Sequence, residues 1–114
     1  SHDVHTDHQV ISQVFNSFMK WFRYPSIHSV LMYETLSETN FNFGISEKYS
    51  PNTYVDISQF IEKKIEICNM YASEIQRHPF PRSKDSINAL SILRGSESGF
   101  KHAEAFKLIL KREE

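Results

Sequence analysis

The sequence predicts an α/β fold, and two observations carry that prediction. Apolar residues recur at helical spacing in three stretches, which begin near Val10, Ser58 and Ser83. Short segments rich in β-branched and aromatic residues lie between these stretches and after the last one. Helices that alternate with strands are typical of α/β proteins. The strands are few for an independent sheet, so we expect residues 1–114 to form part of a larger layered domain.

The first predicted helix follows the N-terminal tract and ends by Tyr24. Asp7 stands where a helix start favours a carboxylate, which caps backbone N–H groups and suits the positive end of the helix dipole. Pro25 disfavours helical geometry in the residue before it, so the helix should not pass Tyr24. One wide apolar stripe is formed by Val10, Ile11, Val14, Phe15, Phe18, Met19 and Phe22.

Two short strands come next. Residues 28–33 are rich in Val, Leu, Met and Tyr and predict a buried strand, and residues 54–56 predict a brief second one. The polar stretch between them, residues 34–52, is long for an irregular segment of a compact domain. Segments of this kind are more often functional or mobile than neutral.

Two further helices and a last strand complete the prediction. Apolar spacing indicates a helix over residues 58–76, and prolines follow it closely. Ser83 is the expected N-cap of the third helix, and Gly95 is expected to close it in the left-handed conformation that satisfies helix-end carbonyls. Residues 107–110 predict the last strand.

Composition argues against several classes of protein. The 13 Lys and Arg residues are scattered among 14 Asp and Glu residues, which gives a formal charge of −1, whereas nucleic-acid-binding domains carry a marked basic excess. No apolar run approaches the ~20 residues that a membrane span needs. A single cysteine, Cys68, forbids an intrachain disulfide. We therefore expect a soluble, cytoplasmic chain with no nucleic-acid partner and no transmembrane segment.

The strongest chemical signal is the tract His2-Asp3-Val4-His5-Thr6-Asp7-His8. Because residues three apart share one helical face, His5 and His8 can point into one site. Imidazole nitrogens bind zinc, and a flanking carboxylate such as Asp7 can orient an imidazole by accepting its second N–H. Spacing alone is equally compatible with a solvated polar N-terminus.

His5-Thr6-Asp7-His8 at the start of an amphipathic helix resembles the second motif, H-[PS]-D-H, of the LmbE-like, or PIG-L, family of zinc-dependent de-N-acetylases. The rest of the chain is similar to the C-terminal half of that family, in the same order. The matching segments are Tyr33-Glu34-Thr35-Leu36-Ser37-Glu38-Thr39, Pro51-Asn52, Val55-Asp56-Ile57-Ser58, the helix with Lys63, Lys64 and Tyr71, Pro81-Arg82-Ser83, Arg94-Gly95, Gly99 and Ala103-Glu104-Ala105-Phe106.

The resemblance implies a Rossmann-like, three-layer α/β/α domain of which residues 1–114 are the C-terminal part. It also implies an enzyme that removes the N-acetyl group from an amino sugar, in an N-acetylglucosamine-type glycoconjugate or a glycolipid. His8 would be a zinc ligand, and ferrous iron is the alternative metal. His5 would protonate the leaving amine or stabilise the oxyanion, and Asp7 would tune His5.

The family's H-P-D-D motif, which supplies the other metal ligands and a general base, does not occur between residues 1 and 114. A catalytic zinc needs about three protein ligands. We expect the missing N-terminal half to supply them and to pack against this chain, or oligomerisation to cover the exposed faces. The alternatives are a catalytically silent fragment or subunit and, less favoured, a helical interaction domain with a solvated histidine tail.

Three further residues are candidates for substrate binding. The resemblance places Arg82 and Arg94 on C-terminal loops that approach the site, where either would bind a phosphate or a sugar hydroxyl. The alternative is that each arginine ties down a loop or a helix end. His102 is the third candidate. Glu104 is expected to hold backbone or an arginine rather than to act in catalysis.

Overall fold

The computed structural model describes residues 20–36, 49–71 and 75–113. These residues form a small mixed α/β domain, which confirms the α/β class, while the Rossmann-like three-layer arrangement stays a prediction. The predicted helix over the first apolar stripe lies mostly outside the described residues. The described elements are, in chain order, β1 (Ser29–Tyr33), β2 (Thr53–Asp56), α1 (Ile61–Asn69), α2 (Lys84–Ser98) and β3 (Ala103–Lys111).

The described strands form a three-stranded antiparallel sheet in the order β1-β3-β2. β2 pairs with β3 so that Thr53 lies opposite Phe106 and Asp56 lies opposite Ala103. The backbone N–H of Ile57 donates to the carbonyl of His102 at 2.9 Å and continues the pairing beyond β2. The strand that comes last in the sequence is therefore the central one.

β3 is longer than the sequence predicts, since it begins at Ala103 rather than at residue 107. Ala103 and Ala105 are both buried, and because successive side chains of a strand point to opposite faces, they occupy the same face. Alanine has little strand propensity, so local pattern did not indicate this part of the strand. This segment is part of a strand because β3 lies between β1 and β2 in the sheet.

The chain divides into two compact units, residues 1–31 with 108–114 and residues 32–107. In the first unit, the backbone N–H of Arg112 donates to the carbonyl of His28 at 2.7 Å, and its guanidinium donates to the carbonyl of Pro25 at 3.0 Å. Arg112 thus fixes the segment that enters β1. Neither helix of the described residues has the length and hydropathy that crossing a bilayer requires.

The predicted end of the first helix is a turn. The backbone N–H groups of Arg23 and Tyr24 both donate to the carbonyl of Lys20, at 3.0 and 3.2 Å. Phe22 is 62 % exposed, so this end of the predicted apolar stripe is not buried. The expectation that the helix does not pass Tyr24 agrees with the turn.

The prediction that residues 28–33 form a strand is confirmed, but the prediction that this strand is buried is wrong. Leu31, Met32 and Tyr33 are exposed, Tyr33 to 72 %. A continuous apolar run predicts burial only where other elements cover both faces of the strand. In the described part of the chain β1 lies at the edge of the sheet.

α1 is shorter at both ends than the predicted helix over residues 58–76, since it spans Ile61–Asn69. Ser58 is held in a turn before it: its backbone N–H and its hydroxyl both donate to Asp56 Oδ1, at 2.9 and 2.6 Å. This local hydrogen bonding competes with helix formation. The helix therefore begins at Ile61, whose side chain is buried.

The two helices contact each other, and α2 also contacts β2. The buried apolar residues are few among those described: Ile57, Ile61, Ile87, Ala103 and Ala105. Each buried isoleucine contributes about 1.5–3 kcal/mol relative to an exposed one. These residues lie just after β2, in both helices and at the start of β3.

The start of α2 is as predicted. The backbone N–H of Ser86 donates to Ser83 Oγ at 3.1 Å, so Ser83 is the N-cap. The predicted end at Gly95 is wrong: α2 continues to Ser98, and Gly99 adopts the left-handed conformation with φ 84° and donates to the carbonyl of Gly95.

Gly95 serves the packing of the helix rather than its termination. A Cβ built at this buried position would contact the carbonyl oxygen of Phe100 and lie 2.8 Å from that of Lys101. Both neighbours are backbone atoms, which cannot move aside as a flexible side chain would. The absence of a side chain therefore lets residues 100–101 return closely against α2 and enter β3.

We predict that Gly95→Ala lowers the free energy of unfolding by about 1–3 kcal/mol, because the added methyl overpacks against backbone. Helix propensity alone would favour alanine by about 1 kcal/mol, so the sign of the change separates the two effects. Urea denaturation of both proteins provides the measurement. Gly99→Asn is the control, since asparagine tolerates left-handed backbone and position 99 has open space. A stabilised Gly95→Ala protein would contradict the packing role.

Candidate functional site

The second unit contains a largely apolar groove with a volume of about 670 Å³. The segment after β1, both helices, the loop before α2 and the start of β3 all contribute to it. Apolar grooves with a few polar groups are typical of ligand sites. Its polar and ionisable lining side chains are Tyr33, Glu34, Thr35, Lys64, Cys68, Tyr71, Arg82, Ser91 and Glu104.

Lys64 and Glu104 form an ion pair across the groove wall, with 2.9 Å between Nζ and Oε1. Lys64 belongs to α1 and Glu104 to β3, so the pair joins helix and sheet. The expectation that Glu104 holds backbone or an arginine is thus modified, because its partner is a lysine. Each side chain is 37 % exposed, and solvent screening keeps the contribution of such a pair small.

Arg82 lines the groove from the loop before α2. Its Nε–H donates to the carbonyl of Leu36, with 3.4 Å between the two atoms. Leu36 lies in the segment after β1 and also lines the groove. Arg82 thus holds the segment after β1, which is the alternative to substrate binding, and it also lines the groove.

Arg94 is held by two glutamates. Its Nε–H and one Nη2–H donate to the two carboxylate oxygens of Glu34, at 2.9 and 2.8 Å. Its Nη1 donates to both oxygens of Glu97, at 2.9 and 3.0 Å. The side chains of Arg94 and Glu34 are 15 % and 12 % exposed. Arg94 therefore connects distant parts of the chain through these hydrogen bonds. This structural role is the alternative to substrate binding.

Tyr49 and Tyr54 complete a cluster around Arg94, which also contains Glu34 and Glu97 and is called the Arg94 cluster below. The Tyr54 hydroxyl donates to Glu97 Oε1 at 2.8 Å. The Arg94 guanidinium lies 6.0 Å from the centre of the Tyr49 ring, within reach of a cation–π interaction. The Tyr49 hydroxyl proton is shared between the carbonyls of Met32 and Ala105, at 3.2 and 3.0 Å. Tyr49 therefore connects two strands with the cluster.

The cluster shifts the pKa values of its members. The hydrogen bonds from Arg94 and then Tyr54 lower the pKa of Glu97, and the hydrogen bond to Glu34 raises the pKa of Arg94. Donation to Glu97 raises the pKa of Tyr54, while burial and then the Glu34 charge raise the pKa of Tyr49. Each shift favours the protonation state that holds at neutral pH.

His102 lies beside the groove rather than in its wall. Its Nδ1 is 2.8 Å from Oγ of Ser91, and Ser91 lines the groove. The three substrate-binding candidates thus each contact a different groove-lining residue: Arg82 contacts Leu36, Arg94 contacts Glu34, and His102 contacts Ser91. Their role in substrate binding stays a prediction.

His5, Asp7 and His8 lie outside the described residues, and so does any zinc site built from them. Within residues 20–36, 49–71 and 75–113, no group of three or more His, Cys, Asp or Glu side chains is arranged to hold a metal ion. The described part of the chain therefore contributes a groove and fixed charges, and the metal-binding prediction rests on the N-terminal motif.

Sequence reasoning missed the partners of Arg94 and His102. Glu34 and Arg94 are 60 residues apart in the chain, and no local pattern links them. Ser91 lies in α2 and His102 lies outside it, just before β3, so local sequence pattern does not pair them. Only the packing of α2 against the sheet brings these pairs together.

No family model matches this chain, and neither the curated proteins nor the solved structures include a match to it.

We predict that Glu34→Gln lowers the free energy of unfolding by about 1.5–3 kcal/mol, the range for hydrogen bonds to charged groups, because Arg94 keeps its charge in a half-buried site. Urea denaturation measures the loss. Glu66→Gln is the matched control, since the Lys63–Glu66 pair is 4.0 Å apart and exposed, and its loss should not be measurable. Equal losses in the two variants would contradict a special role for the Arg94 pair.

We predict that acid weakens the fold partly through Glu97. Its pKa in the folded chain lies below the unfolded value of about 4.3, so its pairing stabilises the fold above that pH and is lost as the pH falls through the folded pKa. Glu97→Gln should lose less stability than the wild type between about pH 6 and pH 3. Urea denaturation across that range tests this, and parallel losses would show that Glu97 is not involved.

Proposed function

We propose that this chain is the C-terminal part of a zinc-dependent de-N-acetylase with a Rossmann-like domain, acting on an N-acetylated amino sugar. The observation that carries the proposal is the order of motifs, from His5-Thr6-Asp7-His8 at the start of an amphipathic stripe to Ala103-Glu104-Ala105-Phe106 near the end. One short motif arises easily by chance. Many in a fixed order are far more specific.

The contacts of the motif residues support the proposal. Glu34 from one matching segment pairs with Arg94 from another, and Gly95 allows close packing just before the last segment. Lys64 pairs with Glu104. Motifs that serve one another structurally are expected to occur together in proteins that share a fold, so these contacts give a physical reason for their joint occurrence.

The N-terminal motif supplies the proposed chemistry. When bound, zinc lowers the pKa of a water ligand toward ~7 and polarises the acetamide carbonyl. His8 would hold the metal, with ferrous iron as the alternative. His5 would donate a proton to the departing nitrogen, and Asp7 would accept the second imidazole N–H of His5 and keep that ring in position.

Substrate binding is proposed for the groove of the second unit. Arg82 would donate to a phosphate or a sugar hydroxyl from the groove wall, and the apolar lining suits the C–H faces of a sugar or an attached apolar chain. A glycolipid, a nucleotide-sugar and a small glycoconjugate all satisfy these features. Arg94 is the weaker substrate-binding candidate, because four of its hydrogen bonds already go to glutamates.

The proposal also includes protein that covers the exposed apolar surface, either the N-terminal half with the H-P-D-D motif or another copy of the chain. Supporting side chains are exposed on β1, α1 and α2: Met32 and Tyr33, Ile67, and Ile92 and Leu93. Removing exposed apolar side chains from water favours association with another protein surface. A cytoplasmic location is proposed on the single cysteine.

We predict that a chain extended upstream to include an H-P-D-D motif releases acetate from an N-acetylglucosamine conjugate when loaded with zinc. His8→Ala should reduce both zinc content and activity. His5→Ala should keep its zinc and lose about 10²–10⁴-fold in kcat, the usual contribution of a general acid. His28→Ala, at an exposed position, is the matched control and should change neither.

Absence of acetate release from a panel of such conjugates would lead us to abandon the enzyme assignment. Measurements on the 114-residue chain alone test the alternative, in which this chain is a catalytically silent fragment or subunit. A self-sufficient enzyme would be active without an upstream half. Zinc titration of this chain should find no submicromolar site with hydrolytic activity, because the family pattern supports only His8 as a ligand here. Such a site would overturn the need for an upstream half.

A further inference from the structure

Ser91 and His102 form a hydrogen-bonded pair beside the groove. Ser91 lies in the middle of α2 and is 2 % exposed, and His102 immediately precedes β3. Ser91 Oγ lies 2.8 Å from His102 Nδ1. Heavy-atom positions alone leave open which of the two groups donates, because a hydroxyl and an imidazole nitrogen can each do either.

A second contact of Ser91 decides the direction of this bond. Ser91 Oγ also lies 2.7 Å from the backbone carbonyl oxygen of Asn88. A carbonyl cannot donate, so the single hydroxyl proton must point at Asn88. If the proton pointed at His102 instead, two oxygens would face each other at this distance without a proton between them. The bond to His102 must therefore use a proton on Nδ1.

The backbone of His102 holds the ring in place for this bond. Its N–H donates to Ser58 Oγ at 3.2 Å, and its carbonyl accepts from the N–H of Ile57 at 2.9 Å. The Ser58 hydroxyl in turn donates to Asp56 Oδ1. His102 is thus fixed on both sides, by the turn after β2 through its backbone and by α2 through its ring.

We infer that Ser91 is a positioning residue that fixes His102 as the Nδ1–H tautomer and leaves Nε2 of the neutral ring as a hydrogen-bond acceptor for a hydroxyl or N–H group of a ligand. The protonation of one ring nitrogen is set by the hydrogen bond that it makes. Nε2 has no hydrogen-bond partner among the described residues. The tautomer is inferred from these contacts alone. The inference that the ligand carries a hydroxyl group rests on the proposed sugar substrate.

The tautomer can be read directly by long-range ¹H–¹⁵N correlation spectroscopy of the chain with ¹⁵N-labelled histidine. At a pH where the ring is neutral, Nδ1 of His102 should resonate as a protonated nitrogen and Nε2 as an unprotonated one. A wild-type spectrum with the proton on Nε2 would overturn the inference. This measurement needs no activity and is independent of the deacetylase proposal.

The role of Ser91 is tested by Ser91→Ala, which removes the acceptor and should shift the His102 ring toward the Nε2–H form. Ser96→Ala is the matched control, because Ser96 Oγ makes the same kind of bond in the same helix, to the carbonyl of Leu93 at 2.6 Å, without a histidine. The control should leave the His102 signals unchanged. An unchanged tautomer in folded Ser91→Ala would overturn the role of Ser91, and the wild-type spectrum decides the tautomer even if that variant does not fold.

In an active upstream-extended enzyme, Ser91→Ala should raise KM for the N-acetylglucosamine conjugate several-fold and leave kcat nearly unchanged. A shifted tautomer with unchanged KM would overturn the ligand role alone. If the wild-type extended enzyme is inactive, the deacetylase proposal fails and the ligand role fails with it, whereas the tautomer stands or falls on the spectrum.

Discussion

The ion pair between Arg94 and Glu34 is the interaction on which the second unit depends. A guanidinium and a carboxylate leave water only at a considerable cost, and the cost is offset when the geometry is bidentate and the remaining donors are satisfied. Glu34 supplies that geometry, and Glu97 accepts hydrogen bonds from Nη1 at another edge of the guanidinium. Through Glu97 the cluster reaches Tyr54, so one arginine joins α2, β2 and the segment after β1.

Small residues provide the second constraint. Gly95 lets the chain return against α2, and buried Ala103 and Ala105 leave room between the sheet and the helices. Ala103 and Ala105 line the groove, whereas the close approach at Gly95 lies outside its lining. The same packing places His102 against Ser91.

Several candidate residues hold the fold through such contacts, and some of them also line the groove or lie beside it. Arg94 donates hydrogen bonds to Glu34 and Glu97, and Glu104 forms an ion pair with Lys64. Arg82 lines the groove, and His102 presents a ring whose orientation is set by its neighbours. The proposed chemistry lies with His5, Asp7 and His8, while the C-terminal segments would bind and orient the substrate.

Local pattern by itself determined the α/β class, the existence of β1, β2 and both described helices, and the Ser83 cap, because periodicity and capping depend on residues a few positions apart. The family resemblance and the histidine motif also came from sequence alone. Tertiary structure decided the rest: β3 begins at Ala103 because it is the central strand, and α2 passes Gly95 because that glycine relieves a close approach rather than ending a helix. The Arg94 and His102 partnerships required the folded chain, since their members are distant in sequence and only packing brings them within hydrogen-bond distance.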